Sequence, residues 1–364
     1  MPAVSQRLPD FPWDSLVGPK AIAASHTGGI VDLSIGTPVD PTPEVAQAAL
    51  IAAADSPGYP TTYGPESLRQ SVVDWLDRRF GVTGLSAEAV LPTIGSKELI
   101  ANLPVQLGLG SGDVVAIPEL AYPTYEVGAR LAGCDVVASD STVSFGPNAP
   151  ALMFVNSPSN PTGRILGEDH LRKVVAWARE RGTLLVSDEC YLEFGWDSAA
   201  YSVLHPDISG DTNDGILAIH SLSKRSNLAG YRAAFVAGDQ SLIDELLAVR
   251  KNLGLIVPGP VQVAMAAALA DDKHVEVQFE RYAARRLALR AALEGAGFRV
   301  DHSEGALYLW ATRGEPALDT VAWLAERGIL VAPGSFYGTQ GAQHVRVAFT
   351  ATDERIAAAV SRLR

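Results

Sequence analysis

Lys224 and Arg232 stand eight residues apart in the run Ser221-Leu222-Ser223-Lys224-Arg225-Ser226-Asn227-Leu228-Ala229-Gly230-Tyr231-Arg232. A lysine amine condenses with an aldehyde once burial or its neighbours favour the neutral form. An arginine offers a planar, permanently charged fork that grips a phosphate bidentately, and the short hydroxyls of Ser221 and Ser223 add donors without crowding. The same run alone reads equally well as a solvated loop with one lysine and two arginines, so other segments must decide. Thr93-Ile94-Gly95-Ser96-Lys97-Glu98 follows the apolar Val90 and Leu91 and precedes an apolar helix. A glycine there permits close backbone approach and a helix start offers free N–H groups, so Gly95, Ser96 and Lys97 suit a phosphate. The commoner meaning of such a serine is a plain N-cap. Asp188-Glu189-Cys190-Tyr191 places an acid at a strand end and a phenol three residues later. Asp188 alone also suits a helix cap, Glu189 an ion pair or the surface, and Cys190 a buried structural cysteine. The seven histidines show no H-E-x-x-H or comparable spacing, and no metal is expected.

These residues need a frame that gathers them. Pro43 to Ala54 and Pro65 to Phe80 read as helices with proline near the first turn, the second stopping at Gly81. Short β-branched runs then alternate with longer helical patterns: Val114 to Ile117, Asp135 to Ala138, Leu152 to Val155, Leu184 to Ser187, Ile216 to Ile219 and Ala233 to Ala237. That alternation predicts an α/β fold with a mostly parallel sheet flanked by helices, whose ligands collect at the carboxyl ends of the strands. Residues just after the strands are therefore one set of site candidates. They include Tyr122 in Pro118-Glu119-Leu120-Ala121-Tyr122-Pro123-Thr124-Tyr125, and Asn160 in the turn-rich Asn156-Ser157-Pro158-Ser159-Asn160-Pro161-Thr162-Gly163. One long helix is expected from about Val261 through Leu293, then a smaller α/β region. The division follows as residues 1–40 for an N-terminal arm and part of the small domain, 41–257 for the large domain, and 258–364 for the interdomain helix and the rest of the small domain. Gly108, Gly110 and Gly112 precede a strand instead of linking strand to helix, which excludes a dinucleotide loop and leaves a turn.

Composition narrows the partners. At 364 residues and 47% hydrophobic, the chain can bury a large core and divide into two domains. A net charge of -12 argues against nucleic acid or an anionic membrane as partner. Cys134 and Cys190 cannot supply a disulfide framework, and a reducing cytoplasm is the expected location. Met1 to Trp13 contains no apolar signal region, and the apolar run Val261 to Ala270 is about half the ~20 residues of a membrane span.

In order and spacing, the Lys224–Arg232 block, the Asn160 loop and Asp188 resemble the class I and II aminotransferases over about Asp32 to Phe349. That resemblance implies fold type I with pyridoxal 5'-phosphate held by Lys224 as an imine, in a homodimer with shared active sites. It also implies ping-pong transfer of nitrogen between amino and oxo acids, with Lys224 moving the proton between substrate and cofactor carbons. By the same likeness Asp188 pairs with the pyridine nitrogen, Asn160 and Tyr191 with the 3-oxygen, and Tyr122 covers a ring face. Gly95, Ser96, Lys97, Ser221, Ser223 and Arg232 surround the phosphate, which Tyr59 of the other subunit also reaches. Arg346, in Val345-Arg346-Val347-Ala348-Phe349, grips the substrate α-carboxylate, and Gly36 closes over the substrate beside Asn160. Without the resemblance, Tyr122 reads as a core or loop tyrosine and Arg346 as a solvent-facing strand position.

Leu8 to Trp13, Ile35 to Asp40 and Pro118 to Ala132 bear a closer likeness to the actinobacterial N-succinyldiaminopimelate aminotransferases of lysine and diaminopimelate biosynthesis, which use glutamate and 2-oxoglutarate. Lys97 and Arg225 then suit, as an alternative to roles beside the phosphate and the lysine, the distal carboxylate of a dicarboxylic substrate. An aspartate, alanine or aromatic aminotransferase, or a carbon–sulfur lyase, would share the cofactor residues. A transcription regulator would need a DNA-binding module before Asp32, where no room is expected for one.

Overall fold

The computed structural model describes residues 4–364; the reading of Met1–Ala3 lies outside them. A seven-stranded sheet runs in the order Val90–Ile94, Ala233–Gly238, Ile216–Ser221, Leu184–Asp188, Leu152–Asn156, Val114–Ile117, Asp135–Ala138. Four pairings are parallel, and Ala233–Gly238 runs antiparallel to both its neighbours. Leu152–Asn156, Ile216–Ser221 and Ala233–Gly238 are buried at every position, as strands covered by helices on both faces must be. The edge strand Asp135–Ala138 is largely exposed.

This topology gathers the chemistry. Asn156, Asp188 and Ile219 stand side by side in register, so the three parallel strands deliver their following loops to one edge. Because Ala233–Gly238 turns back along Ile216–Ser221, the loop between them keeps Lys224 and Arg232 at that same edge. Val90–Ile94 ends opposite Ala233 and brings Gly95 and Ser96 there too.

A second sheet, antiparallel throughout, has the order Ala332–Pro333, Val345–Ala348, Tyr308–Thr312, Arg299–Asp301. Arg346 stands on its second strand, opposite Trp310 on one side and Ala332 on the other. The amino-terminal strand Val31–Asp32 pairs with Ile329–Leu330, and Val31 and Leu33 share a core with Tyr282, Tyr308, Val321 and Ile356. The segment after Leu33 is thereby carried across to the large sheet.

Two helical expectations shift. Pro43 and Pro65 cap the helices Glu44–Ala52 and Glu66–Phe80 from outside, and the second ends on left-handed Gly81. The single long helix is two, Gly259–Ala270 and Lys273–Gly295. Asp271 adopts an extended backbone, and its carboxylate accepts the His274 N–H at 3.1 Å, so the side chain competes with helix continuation at the break. Gly108 and Gly112 take positive φ in a turn. Among the described residues no helix is long and apolar enough to cross a membrane.

Candidate active site

A cavity of about 360 Å³ opens between the carboxyl edge of the large sheet and the second sheet. Lys224, Asp188, Tyr191, Asn160, Tyr122, Ser96, Lys97, Ser221, Ser223, Arg232, Gly36 and Arg346 all line it. Tyr59 does not; it is fully exposed.

The Lys224 amine is partly buried and donates to the Gly36 carbonyl. Burial, followed by the positive fields of Arg346 and Arg232, lowers its pKa from 10.5 to about 8, which favours the neutral amine. Gly36 can come this close because it lacks a side chain: a Cβ would lie 2.6 Å from the Tyr308 ring. Asp188, 5% exposed, accepts from the Tyr125 hydroxyl at 2.7 Å and from the Cys190 N–H at 3.2 Å. Burial outweighs these bonds and raises its carboxyl pKa. Asn156 braces the neighbouring loop, its Nδ2 donating to the Asp188 carbonyl at 2.8 Å and its Oδ1 accepting the Asn160 N–H at 2.7 Å.

Arg346 is 3% exposed. It donates to Asn160 Oδ1 and to the Ser34 carbonyl, both at 2.7 Å, and lies 4.1 Å over the Tyr308 ring. Its Nε has no partner. Tyr308 also shares a 2.7 Å hydrogen bond with the Tyr191 hydroxyl. The strand pattern predicted for Arg346 therefore does not make it solvent-facing; it points into the cavity between two layers.

At the other end, Gly95 is the N-cap of Ser96–Gln106, with φ 81° and no side-chain cap. Ser96 is thus not the N-cap that its type suggests. A Cβ on Gly95 would strike Arg232 Nη2 and lie 2.7 Å from Cζ, so the glycine is what lets the guanidinium sit against the helix start. Arg232 itself has φ 55°, a left-handed backbone held while Nη1 donates to the Ala229 carbonyl at 2.8 Å. Ser221 caps the short helix Leu222–Arg225 by accepting the Ser223 N–H, and the two hydroxyls hydrogen-bond at 2.9 Å. An uncapped helix start, an arginine and two hydroxyls form a donor set suited to a phosphate. With the Lys224 amine, the buried Asp188 carboxyl and the Tyr122 ring in the same cavity, the residues fit pyridoxal phosphate.

Three expectations change. Arg225 faces away from the cavity and is committed to Glu193 at 3.0 Å, the Ala268 carbonyl at 2.7 Å and Ser226 at 3.0 Å, so it cannot serve a distal carboxylate. Glu189 is not on the surface; it is buried 3.3 Å from His220, with its pKa raised to about 7 by that burial. Cys190 packs against the core of the second sheet and also lines the cavity. Lys97 reaches the exposed rim with its amine 5.7 Å from the Phe11 ring centroid. Tyr125 and Tyr308, which touch Asp188 and Tyr191, were missed as functional positions. The first stood beside the more conspicuous Tyr122, and the second reads only as a strand residue.

The family described as aminotransferase class I and II matches residues 29–363. A probable aminotransferase of Mycobacterium tuberculosis is 64% identical over 360 residues, covering 99% of this chain and 86% of that protein. The 4-dedimethylamino-4-oxo-anhydrotetracycline transaminase OxyQ of Streptomyces rimosus is 58% identical, covering 98% of this chain and 99% of its own. Among solved structures, a probable N-succinyldiaminopimelate aminotransferase of Thermus thermophilus superposes with a TM-score of 0.87 at 27% identity, over 97% of this chain and 99% of that one. The chain belongs to the class I and II aminotransferases, pyridoxal-phosphate-dependent enzymes of fold type I.

Proposed function

We propose that this aminotransferase is an N-succinyl-LL-2,6-diaminopimelate:2-oxoglutarate aminotransferase of the diaminopimelate and lysine pathway, working by ping-pong transfer with glutamate as donor. The observation that carries the reading is the buried Arg346 guanidinium, with an unpaired Nε, in the cavity that holds the Lys224 amine. A buried cation without a carboxylate partner is costly, and a substrate α-carboxylate would relieve it. The Lys97 amine at the exposed rim supports a substrate with a second anionic end, and the Thermus likeness points the same way.

Gly95, Ser96 and the backbone N–H of Lys97, with Ser221, Ser223 and Arg232, hold the phosphate, Asp188 the pyridine nitrogen, and Asn160 and Tyr191 the 3-oxygen. Tyr122 covers the ring, and Tyr59 reaches in from the partner of a homodimer. Bound pyridoxal phosphate supplies the electron sink that makes the substrate α-hydrogen acidic. With its pKa near 8, the Lys224 Nζ can take that proton and return it at neutral pH. Tyr125 holds the Asp188 carboxylate toward the ring, while Tyr308 and Asn160 fix Arg346 against the substrate. The enzyme works in the cytoplasm, and its chain divides at residues 40 and 257.

A second reading takes the oxo-anhydrotetracycline named for the Streptomyces relative as acceptor, favoured by the 58% identity over nearly both chains. Visible spectroscopy separates the two. Under the first reading, glutamate bleaches the yellow band of the holoenzyme and N-succinyl-2-amino-6-oxopimelate restores it. Restoration only by the tetracycline ketone would support the second, and oxo acid accumulating without any acceptor would indicate a carbon–sulfur lyase.

A further inference from the structure

Ser34 to Val39 is a short span that presents two carbonyls to the site, Ser34 to Arg346 and Gly36 to Lys224. At its amino end Leu33 is fixed by main-chain bonds, its N–H to Leu330 at 2.8 Å and its carbonyl from Ala348 at 2.9 Å. At its carboxyl end comes Asp40, whose carboxylate receives Arg285 through both oxygens, at 2.7 and 2.8 Å, and Gln278 Nε2 at 2.8 Å. Arg281 adds a further contact at 3.3 Å. These three donors lie on the helix Lys273–Gly295, far in sequence from the span they hold.

The same helix reaches the lysine loop. Gln278 Oε1 accepts from Asn227 Nδ2 at 3.2 Å, and that amide also donates to the Pro41 carbonyl at 3.3 Å. His274 Nε2 lies 2.9 Å from the Ser226 hydroxyl. Asn227, three residues after Lys224, has a left-handed backbone with φ 52°. Asp40 is thus joined through one glutamine side chain to the loop that carries the lysine.

We propose that Asp40 is a positioning residue. By docking on Arg285 and Gln278 it fixes the Ser34–Val39 span over Arg346 and Lys224 and locks that span to the lysine loop through Asn227. It touches neither substrate nor cofactor in this arrangement; its effect passes through the Ser34 and Gly36 carbonyls. This goes beyond the proposed substrate and holds for any amino donor that Arg346 grips.

The test is amide hydrogen exchange on the holoenzyme, comparing wild type, Asp40→Asn and Asp353→Asn. Asp353 also pairs with Arg285, at 2.6 Å, but is exposed and stands outside the span, so it controls for loss of an arginine partner. Asp40→Asn should speed exchange across residues 34–39 and 225–228 about tenfold or more, whereas Asp353→Asn should leave both near wild type. The half-saturating glutamate concentration for bleaching the cofactor band should rise about tenfold, with the limiting rate falling less than threefold. If Asp40→Asn does not fold, Gln278→Ala takes its place and should loosen residues 225–228. A folded Asp40→Asn enzyme with wild-type exchange across 34–39 would overturn the proposal, as would a Gln278→Ala enzyme with wild-type exchange in the lysine loop. A wild type that ignores glutamate would refute the donor reading while leaving the exchange result decisive here.

Discussion

Gly95→Ala should damage the protein in two separable ways. Gly95 has φ 81° and ψ 148°, a backbone region that a residue with a Cβ enters at a cost of about 1–3 kcal/mol. That strain belongs to the folded chain with or without cofactor, and should lower the melting temperature of the apoprotein. The new methyl would also occupy the place of Arg232 Nη2 and lie 2.7 Å from Cζ, so the guanidinium must move off the helix start. A charge-assisted hydrogen bond contributes about 1.5–3 kcal/mol, and losing the arginine's grip on a phosphate should weaken cofactor affinity about 10- to 150-fold. The assay is titration of apoprotein with pyridoxal phosphate, followed by the visible band, alongside thermal melts of both forms. Lower apoprotein stability with cofactor affinity within threefold of wild type would refute the placement of Arg232 at the phosphate, since the strain alone would then account for the variant.

Other perturbations read other parts of the site. Cofactor capture by apoprotein should accelerate with rising pH through a midpoint near 8, because the neutral Lys224 amine is the nucleophile; a midpoint near 10 would contradict its burial. With a folded pKa below the ordinary 10.5, the folded apoprotein carries fewer protons than the unfolded chain between about pH 8 and 10.5. This group's stabilisation should therefore be complete above that window and lost as pH falls through 8, measurable by denaturant titration of wild type against Lys224→Met. Arg346→Gln should raise the half-saturating amino-acid concentration about tenfold or more through the lost bidentate pair, and should move the capture midpoint upward by removing positive charge near Lys224; an unchanged substrate affinity would take Arg346 out of the site. Arg225→Ala should cost about 3–5 kcal/mol in unfolding measurements by leaving Glu193 short of a buried partner, with dicarboxylate affinity of the folded enzyme unchanged. The reverse pattern would return Arg225 to substrate binding.

Much of this site was legible because its residues follow strand ends. Asp188 ends an apolar strand, Asn160 and Lys224 follow two others, and the sheet brings these strand ends to one edge. Arg232 and Gly95 were visible as types suited to phosphate, but their mutual fit was not: the glycine's need for positive φ and the arginine's occupation of its Cβ space arise only in three dimensions. Arg225 misled because an arginine next to Lys224 has the same sequence signature whether it faces the cavity or Glu193. The break at Asp271 hid inside a run of apolar residues followed by charged helix formers, where nothing but two aspartates signals a new start. Tyr308 stayed hidden for another reason: its contacts with Tyr191 and Arg346 come from elements more than a hundred and nearly forty residues away.

The proposed reaction rests on Lys224 as the amine that holds the cofactor. Borohydride reduction of the holoenzyme, which fixes the bound cofactor to its lysine, followed by peptide mass spectrometry tests this without any substrate. One pyridoxyl-phosphate label is expected on the peptide containing Lys224, absent from Lys224→Ala. A label on Lys97, or stoichiometric labelling that survives in Lys224→Ala, would contradict it.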